Sequence, residues 1–320
     1  MPRRAQRLGQ AGGQLDGAST VCESSQMILV AGSANLDFVI RAPHIPAPGE
    51  TVLGHTFKTY PGGKGANQAV ACARAGGAET SMLLALGNDP YAAPIEESLG
   101  GAGVGLHVVR VAGQPTGAAF ICVSDRAENA ITVASGANHA LRPEHLPDLG
   151  GCTHLLLQLE IPLDTVTAYA AAARAAGVKV VLNAAPAQAL PRELLSLLDI
   201  LIVNEGELAA ISGIADSIER GLRSVDVPCV VATLGERGCC ARRGTQFITA
   251  PGFPVAAVDT TAAGDTFCGV LIAAMSRSAD IASALRTANA AAALACTRPG
   301  AQSSIPTAAE VQAFLLKAAS

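Results

Sequence analysis

Asp265 follows a run of small residues, Asp259-Thr260-Thr261-Ala262-Ala263-Gly264, and leads into a helical pattern whose apolar members Phe267, Val270, Leu271 and Ala274 share one face. Small residues before a helix let its free N–H groups approach a ligand closely, and the N-terminal dipole favours an anion there. A phosphoryl group in transit is such an anion. Asp265 beside it would accept the proton of an attacking hydroxyl, because in phosphoryl transfer positioning and charge stabilisation dominate and an ordinary carboxylate suffices. An aspartate at this place is equally a plain helix cap.

A second cluster is Pro61-Gly62-Gly63-Lys64-Gly65-Ala66-Asn67-Gln68-Ala69, at the start of a helix running to about Ala75. Its glycines allow backbone approach to a polar ligand, while Lys64 and Asn67 offer donors to hydroxyls. It lacks the spacing and the Ser/Thr of a Walker A loop and the third glycine of a dinucleotide fingerprint, and a Gly-rich turn into a packed helix reads the same way. The third cluster is Gly32-Ser33-Ala34-Asn35-Leu36-Asp37. Asn35 and Asp37, two apart on an extended segment, point the same way and suit vicinal hydroxyls; an Asx turn is the plainer alternative.

The elements that must position these residues are short. Residues 28–32, 155–158, 179–183, 200–203 and 229–233 are nearly all apolar, as buried parallel strands are, and helical stretches at 163–176, 205–212 and 217–225 lie between the later ones. This rhythm predicts an α/β fold, a doubly wound and mostly parallel sheet flanked by helices, with ligands beyond the carboxyl ends of the strands. Two looser pairs, 36–41 with 51–60 and 117–124 with 129–134, carry outward apolar residues such as Phe38, Ile40 and Phe57. They predict a small projecting β-sheet, a lid or a pairing surface, unless they are edge strands of the main sheet. Residues 1–26 lack apolar periodicity and read as a disordered extension, although Arg3, Arg4 and Arg7 also fit a transit peptide; a single domain over 27–320 follows.

Composition narrows the classes. A net charge of −4 gives no nucleic-acid footprint, and no apolar run approaches the ~20 residues that span a bilayer, so a soluble protein is expected. The nine cysteines are scattered and odd in number, which favours reduced thiols in the cytoplasm over a disulfide framework. No Cys/His cluster has zinc spacing.

In this order and spacing the three clusters resemble the ribokinase (pfkB) family of carbohydrate kinases, from about Met27 to the C-terminus. The stretches Gln158-Leu159-Glu160, Asn183-Ala184-Ala185-Pro186-Ala187, Asn204-Glu205-Gly206-Glu207, Thr233-Leu234-Gly235 and Arg298-Pro299-Gly300-Ala301-Gln302 are similar to it as well. The resemblance implies ATP-dependent phosphorylation of the 5-hydroxyl of D-ribose. By that resemblance Asn35, Asp37, Gly63, Lys64, Asn67 and Glu160 hold the sugar, Asp265 is the base, and the amides of Ala262, Ala263 and Gly264 form an anion hole. Asn204, Thr233, Gly235, Gly238 and Asn289 would line the nucleotide side, with Glu207 of the Asn204-x-x-Glu207 motif helping to place Mg²⁺. The plainer reading of Glu207 is a solvated carboxylate in the first turn of a helix.

The resemblance further implies a monovalent cation, K⁺, held by the side chains of Asp259 and Ser304 and the carbonyls of Thr261, Ala295, Arg298 and Gly300. It implies a homodimer through the lid, with neither nucleic acid nor membrane as partner. Asn183-Ala184-Ala185-Pro186 and Gly206 depart from the family pattern without removing a chemical group used above. A related kinase of the same family acting on deoxyribose, another sugar or a nucleoside is the nearest alternative. A catalytically idle sugar-binding protein on the same scaffold is disfavoured by Asp265, Gly264 and Glu207.

Overall fold

The computed structural model describes residues 26–126 and 128–318, so the expected extension over 1–26 lies outside the described residues except for Gln26. The strands in chain order are β1 Met27–Ala31, β2 Asn35–Ala42, β3 Thr56–Gly62, β4 Thr80–Gly87, β5 Gly105–Val111, β6 Gly117–Ser124 and β7 Asn129–Ala134. They continue with β8 Cys152–Leu157, β9 Lys179–Asn183, β10 Ile200–Asn204, β11 Cys229–Thr233, β12 Cys239–Arg243 and β13 Gln246–Ala250. The helices are α1 Lys64–Val70, α2 Ala92–Gly101, α3 Leu163–Ala175, α4 Arg192–Leu197 and α5 Glu205–Ser212, followed by α6 Ile218–Ser224, α7 Ala263–Ser276, α8 Ile281–Cys296 and α9 Ala308–Lys317. A π-turn, Ala71–Ala75, carries α1 on to the expected end.

Nine strands form the main sheet in the order β13-β12-β11-β10-β9-β8-β1-β4-β5. All neighbours from β5 to β11 run parallel, and β12 and β13 add an antiparallel hairpin at one edge. Alternate residues serve opposite faces. Ile28, Val30, Leu84, Leu156 and Ile202 pack with α1, α7 and α8, whereas Leu29, Ala31, Leu155, Leu182 and Val203 pack with α3, α5 and α6. With both faces covered, continuous apolar strands are stable where alternating ones would not be. No helix among the described residues is long and apolar enough to cross a membrane.

The second sheet has the order β3-β2-β6-β7 and is separate from the first, so its strands are not edge strands of the main sheet. Asn35 sits in register with Gly62 on one side and Gly117 on the other. The strand expected over 51–60 starts only at Thr56. Pro43, Pro46 and Pro48 remove ladder donors from the connection, and pairing with β2 resumes where His55 N–H donates to the Arg41 carbonyl at 2.7 Å.

One close approach couples the two motif-bearing helices. A Cβ on Gly269 of α7 would lie 2.6 Å from both the Ala71 Cβ and the Gln68 carbonyl oxygen, so only glycine lets α7 settle this close to α1.

Candidate active site

The carboxyl ends of β1, β8, β9, β10 and β11 deliver Ser33, Gln158, Asn183, Asn204 and Thr233 to one edge of the sheet. The amino ends of α1, α5 and α7 meet them there. The chain reverses its winding at β1, which has β8 on one side and β4 on the other, and such switch points open a crevice for ligand.

Two clefts lie at this edge. The larger, about 600 Å³, runs beneath the lid, with Asp37 and Tyr60 on one wall and Asp259, Thr261 and Gly300 on the other. The smaller, about 240 Å³, is lined by Lys64, Asn204, Glu207, Thr233, Gly264 and Asp265 among others. The 259–262 loop borders both.

Asp265 is buried in the first turn of α7. Asn67 Nδ2 donates to its Oδ2 at 2.9 Å, and Gln68 Nε2 donates to its Oδ1 at 2.9 Å. Leading into it, Ala262 adopts φ 59°, a left-handed backbone that a side chain rarely tolerates. Such local strain, of order 1–3 kcal/mol, persists where the surroundings dictate the turn. The Ala263 N–H turns back to the Thr260 carbonyl at 3.2 Å, so of the three expected anion-hole amides this one has an internal partner.

The expected sugar residues converge on the base of the lid. Asp37 is buried, and that burial, reinforced by the nearby charges of Glu160 and Asp265, pushes its carboxyl up to about 7. Glu160 accepts from the Ser33 hydroxyl and from the Lys64 N–H at 3.1 Å. Gly63 takes φ 88°, and a Cβ there would sit 2.8 Å from the Asn35 nitrogen, so this glycine is what brings the two segments into contact. Asn67 Oδ1 is buried without a partner, an orphan acceptor suited to a ligand hydroxyl.

The amide of Asn35 has a determinate orientation. Asn138 Oδ1 accepts from the Ala34 N–H at 3.0 Å, which fixes the Asn138 flip, and its Nδ2 then donates to Asn35 Oδ1 at 2.7 Å. The Asn35 acceptor is thereby occupied, leaving its NH₂ as the group to offer. Lys64 belongs with the smaller cleft rather than the larger. Asp265 foremost, then Glu160 and Glu207, hold its ammonium above the usual lysine range against the opposing effect of burial.

On the other side, Asn204 and Glu207 form a reciprocal cap of α5. Glu207 N–H donates to Asn204 Oδ1 and Asn204 N–H to Glu207 Oε2, both at 2.8 Å. Glu207 is not a solvated carboxylate: it is buried, and burial raises its pKa against the lowering effects of the Asn204 N–H and Lys64. Thr233 lines the smaller cleft, whereas Gly235 and Gly238 shape the turn between β11 and β12 and line neither. Asn289 donates its amide to the carbonyls of Ala250 and Pro251 at 3.0 and 3.2 Å, tying down the segment after β13.

The expected cation ligands gather beside the 259–262 loop in part. Asp259 accepts from Thr261 N–H and Gly300 N–H at 2.9 Å each. Burial raises its pKa, but these bonds and the Arg41 charge prevail and keep it below the usual range. Ser304 is buried and donates to the Ala301 carbonyl at 2.8 Å, Ala295 accepts from the Arg298 N–H at 3.2 Å, and the Arg298 guanidinium pairs with Glu310. The donor set is oxygen alone, which fits a hard monovalent cation. Among the described residues there is no cluster of three or more His, Cys, Asp or Glu that could hold a metal ion.

Sequence reasoning did not assign Gln68, Gln158, Asn183, Ser33 or Asn138 to the site. The first four stand inside stretches that resembled the family, which was the available signal. Asn138 carried none.

Residues 25–308 match the model of the pfkB family carbohydrate kinases. The chain is 40% identical over 300 residues to the ribokinase of Haemophilus influenzae, covering 90% of this chain and 98% of that one. Among solved structures, Thermotoga maritima ribokinase superposes with a TM-score of 0.84 at 37% identity, over 91% of this chain and 99% of its own. Arabidopsis thaliana ribokinase, solved with ribose and ATP, gives 0.83 at 33% identity over 91% and 98%. With the family model matching most of the chain and relatives alike over nine-tenths of it, this chain belongs to the pfkB family of carbohydrate kinases.

Proposed function

We propose that the chain is an ATP-dependent kinase that phosphorylates D-ribose at its 5-hydroxyl. The observation that carries this is Asp265, at the mouth of α7 beside the 259–262 loop that borders both clefts. The ribokinase relatives supply the sugar and the nucleotide. Asn35, with its NH₂ left over, donates to one ribose hydroxyl, while Asp37 and the orphan Asn67 Oδ1 accept from others. Gly63 and Glu160 hold the Asn35 and Ser33 segments in place. Asp265 takes the proton of the 5-hydroxyl as its oxygen attacks the γ-phosphorus and the β–γ bond breaks, with ADP leaving.

The amides of Ala262 and Gly264, joined by that of Ala263 once it leaves the Thr260 carbonyl, and the α7 dipole stabilise the charge of the moving phosphoryl group, aided by Lys64 from the smaller cleft. Asn204, Thr233 and the turn at Gly235 and Gly238 flank the nucleotide, with Asn289 supporting that wall from behind. Glu207 would hold Mg²⁺ through solvent and phosphate oxygens, and Mg²⁺ when bound neutralises phosphate charge. Asp259, Ser304 and the carbonyls of Thr261, Ala295, Arg298 and Gly300 would hold K⁺, whose charge fixes the loop that leads into α7.

Residues 27–320 form one kinase domain with its lid, and the free thiols among the described cysteines suit the cytoplasm. Exposed Ile40, Phe57, Phe120, Ile131 and Val133 make the lid the surface for a homodimer, a reading that a monomer mass in sedimentation would remove.

The test is ADP release measured with ribose, 2-deoxyribose, fructose and adenosine, with and without K⁺. Ribose should be turned over fastest, and K⁺ should raise its rate. Equal turnover of adenosine would overturn the assignment.

A further inference from the structure

Gln68 is fully buried and lines neither cleft, yet it reaches Asp265. Its orientation follows from the backbone. Asn183 Nδ2 donates to the Ile202 carbonyl at 3.2 Å, which turns Asn183 Oδ1 towards Gln68. An oxygen can only accept, so the end of Gln68 facing it is the NH₂ group. That nitrogen donates to Asn183 Oδ1 at 3.0 Å and to Asp265 Oδ1 at 2.9 Å, while Gln68 Oε1 accepts from Gln158 Nε2 at 2.6 Å. Both amide protons and the carbonyl are used, and the four side chains come from α1, α7 and the ends of β8 and β9.

We propose that Gln68 is a positioning residue for the base: it holds one oxygen of Asp265 with an uncharged donor, with Gln158 and Asn183 locking it in turn. The proposal rests on Asp265 being the base. Asn67 takes the other oxygen, so each keeps one donor and the carboxylate plane is fixed. A cation in the place of Gln68 would fix the plane equally well but would draw the proton affinity of the carboxylate down, weakening it as a base. An amide orients with a smaller penalty than a full positive charge, and burial makes its bond strong. The charge next to Asp265 is instead assigned to Lys64, which faces the smaller cleft where phosphate negative charge would balance it.

The titratable groups that surround Asp265 are Lys64 on α1, Asp37 on β2, Glu207 on α5 and Cys268 on α7 itself. None is altered by the test. The variants are Gln68→Leu, which deletes the donor, Gln68→Glu, which keeps the shape but sets an oxygen against an oxygen, and Gln158→Leu, which loosens Gln68 without touching Asp265. The turnover number is followed against pH at saturating ribose and ATP, where titration of free-enzyme Asp37 drops out, and thermal melts check folding.

Gln68→Leu should lower turnover by about 10–100-fold, leave the ribose KM within about 3-fold and move the acid limb up by about one pH unit. Gln68→Glu should move that limb further, because a second carboxyl there disfavours ionisation of the first. Gln158→Leu should shift it in the same direction by less, and it carries the test by itself if the Gln68 variants do not fold. An acid limb that stays put in the folded variants, whatever their turnover, overturns the proposal and leaves Gln68 a packing residue. Asp265→Asn separates the two readings: substantial turnover there defeats the base assignment itself, whereas an inactive Asp265→Asn with an unmoved Gln68 profile defeats only the role of Gln68.

Discussion

Every residue of β4 is buried and every residue of β7 is exposed, and those two strands mark the extremes of the two sheets. The central strands of the large sheet are dry on both faces, so their ends and the helices packed on them hold Asp265, Asn183 and Glu207 in fixed relation. The small sheet has solvent on apolar side chains such as Phe57 and Phe120, and it holds Asn35 and Asp37. On the proposed reading the chemistry stands on the rigid piece and much of the grip on the sugar stands on the pliant one. Reaction and recognition should therefore fail separately.

The largest expected effect tests the rigid side. Asp265→Asn should cut turnover by about 10³-fold and leave ribose affinity within about 3-fold, measured by single-turnover kinetics and calorimetry. Loss of ribose affinity to the same degree would erase the division. On the pliant side, Asp37→Asn should raise the ribose KM by about 10–100-fold and change turnover far less, because a hydroxyl donor then faces a group that no longer accepts as a carboxylate.

The same substitution has a pH signature. The fold raises the Asp37 carboxyl from 3.8 to about 7, so its protonated form is favoured in the native state. That contribution to stability is full below pH 3.8 and is lost as pH climbs through about 7. Without ligand, Asp37→Asn should match the parent at pH 4 and exceed it at pH 8, by at most about 4 kcal/mol in denaturant titrations. A deficit at pH 8 would mean that the carboxylate is stabilised rather than strained.

The smallest effect returns to the large sheet. His154 on β8 is buried with Nε2 unpartnered, and burial, helped by Lys179, lowers its pKa to about 4. It is held neutral, so its share of stability is present above about pH 6.5 and lost as pH falls towards 4. His154→Gln should flatten the fall in melting temperature between those pH values and leave ribose kinetics at pH 7.5 unchanged. An equal acid loss in the variant would move the cause elsewhere.

Much of this was legible in the chain. The apolar runs that became β9 and β11 and the helical pattern of α5 fall at the expected residues, because burial on both faces makes the strand interiors continuously apolar and the Asn204–Glu207 cap marks the start of α5. The candidates Asp265, Lys64, Asn35 and Asp37 stand in glycine-rich or closely spaced motifs that place backbone and side chain together locally. What stayed hidden depends on distance in sequence. The Gln68 contact to Asp265 spans 197 residues and exists only because Gly269 lets two helices touch. The Asn138 bond to Asn35 spans 103 residues and comes from a short 3₁₀ segment with no periodicity. Asn289 read as a nucleotide contact because a buried amide and a ligand-facing one look alike until its carbonyl partners are known.

Only residues 32–34 separate β1 of the main sheet from β2 of the lid, and Asn35 is the first residue of the latter. The lid has no slack on that side. Any swing of it turns about the same few peptide bonds that aim Asn35, so opening the cover and releasing the sugar are one movement. A mutation far out on the lid that favours the open state should consequently register as weaker sugar binding, although it lies nowhere near the hydroxyls.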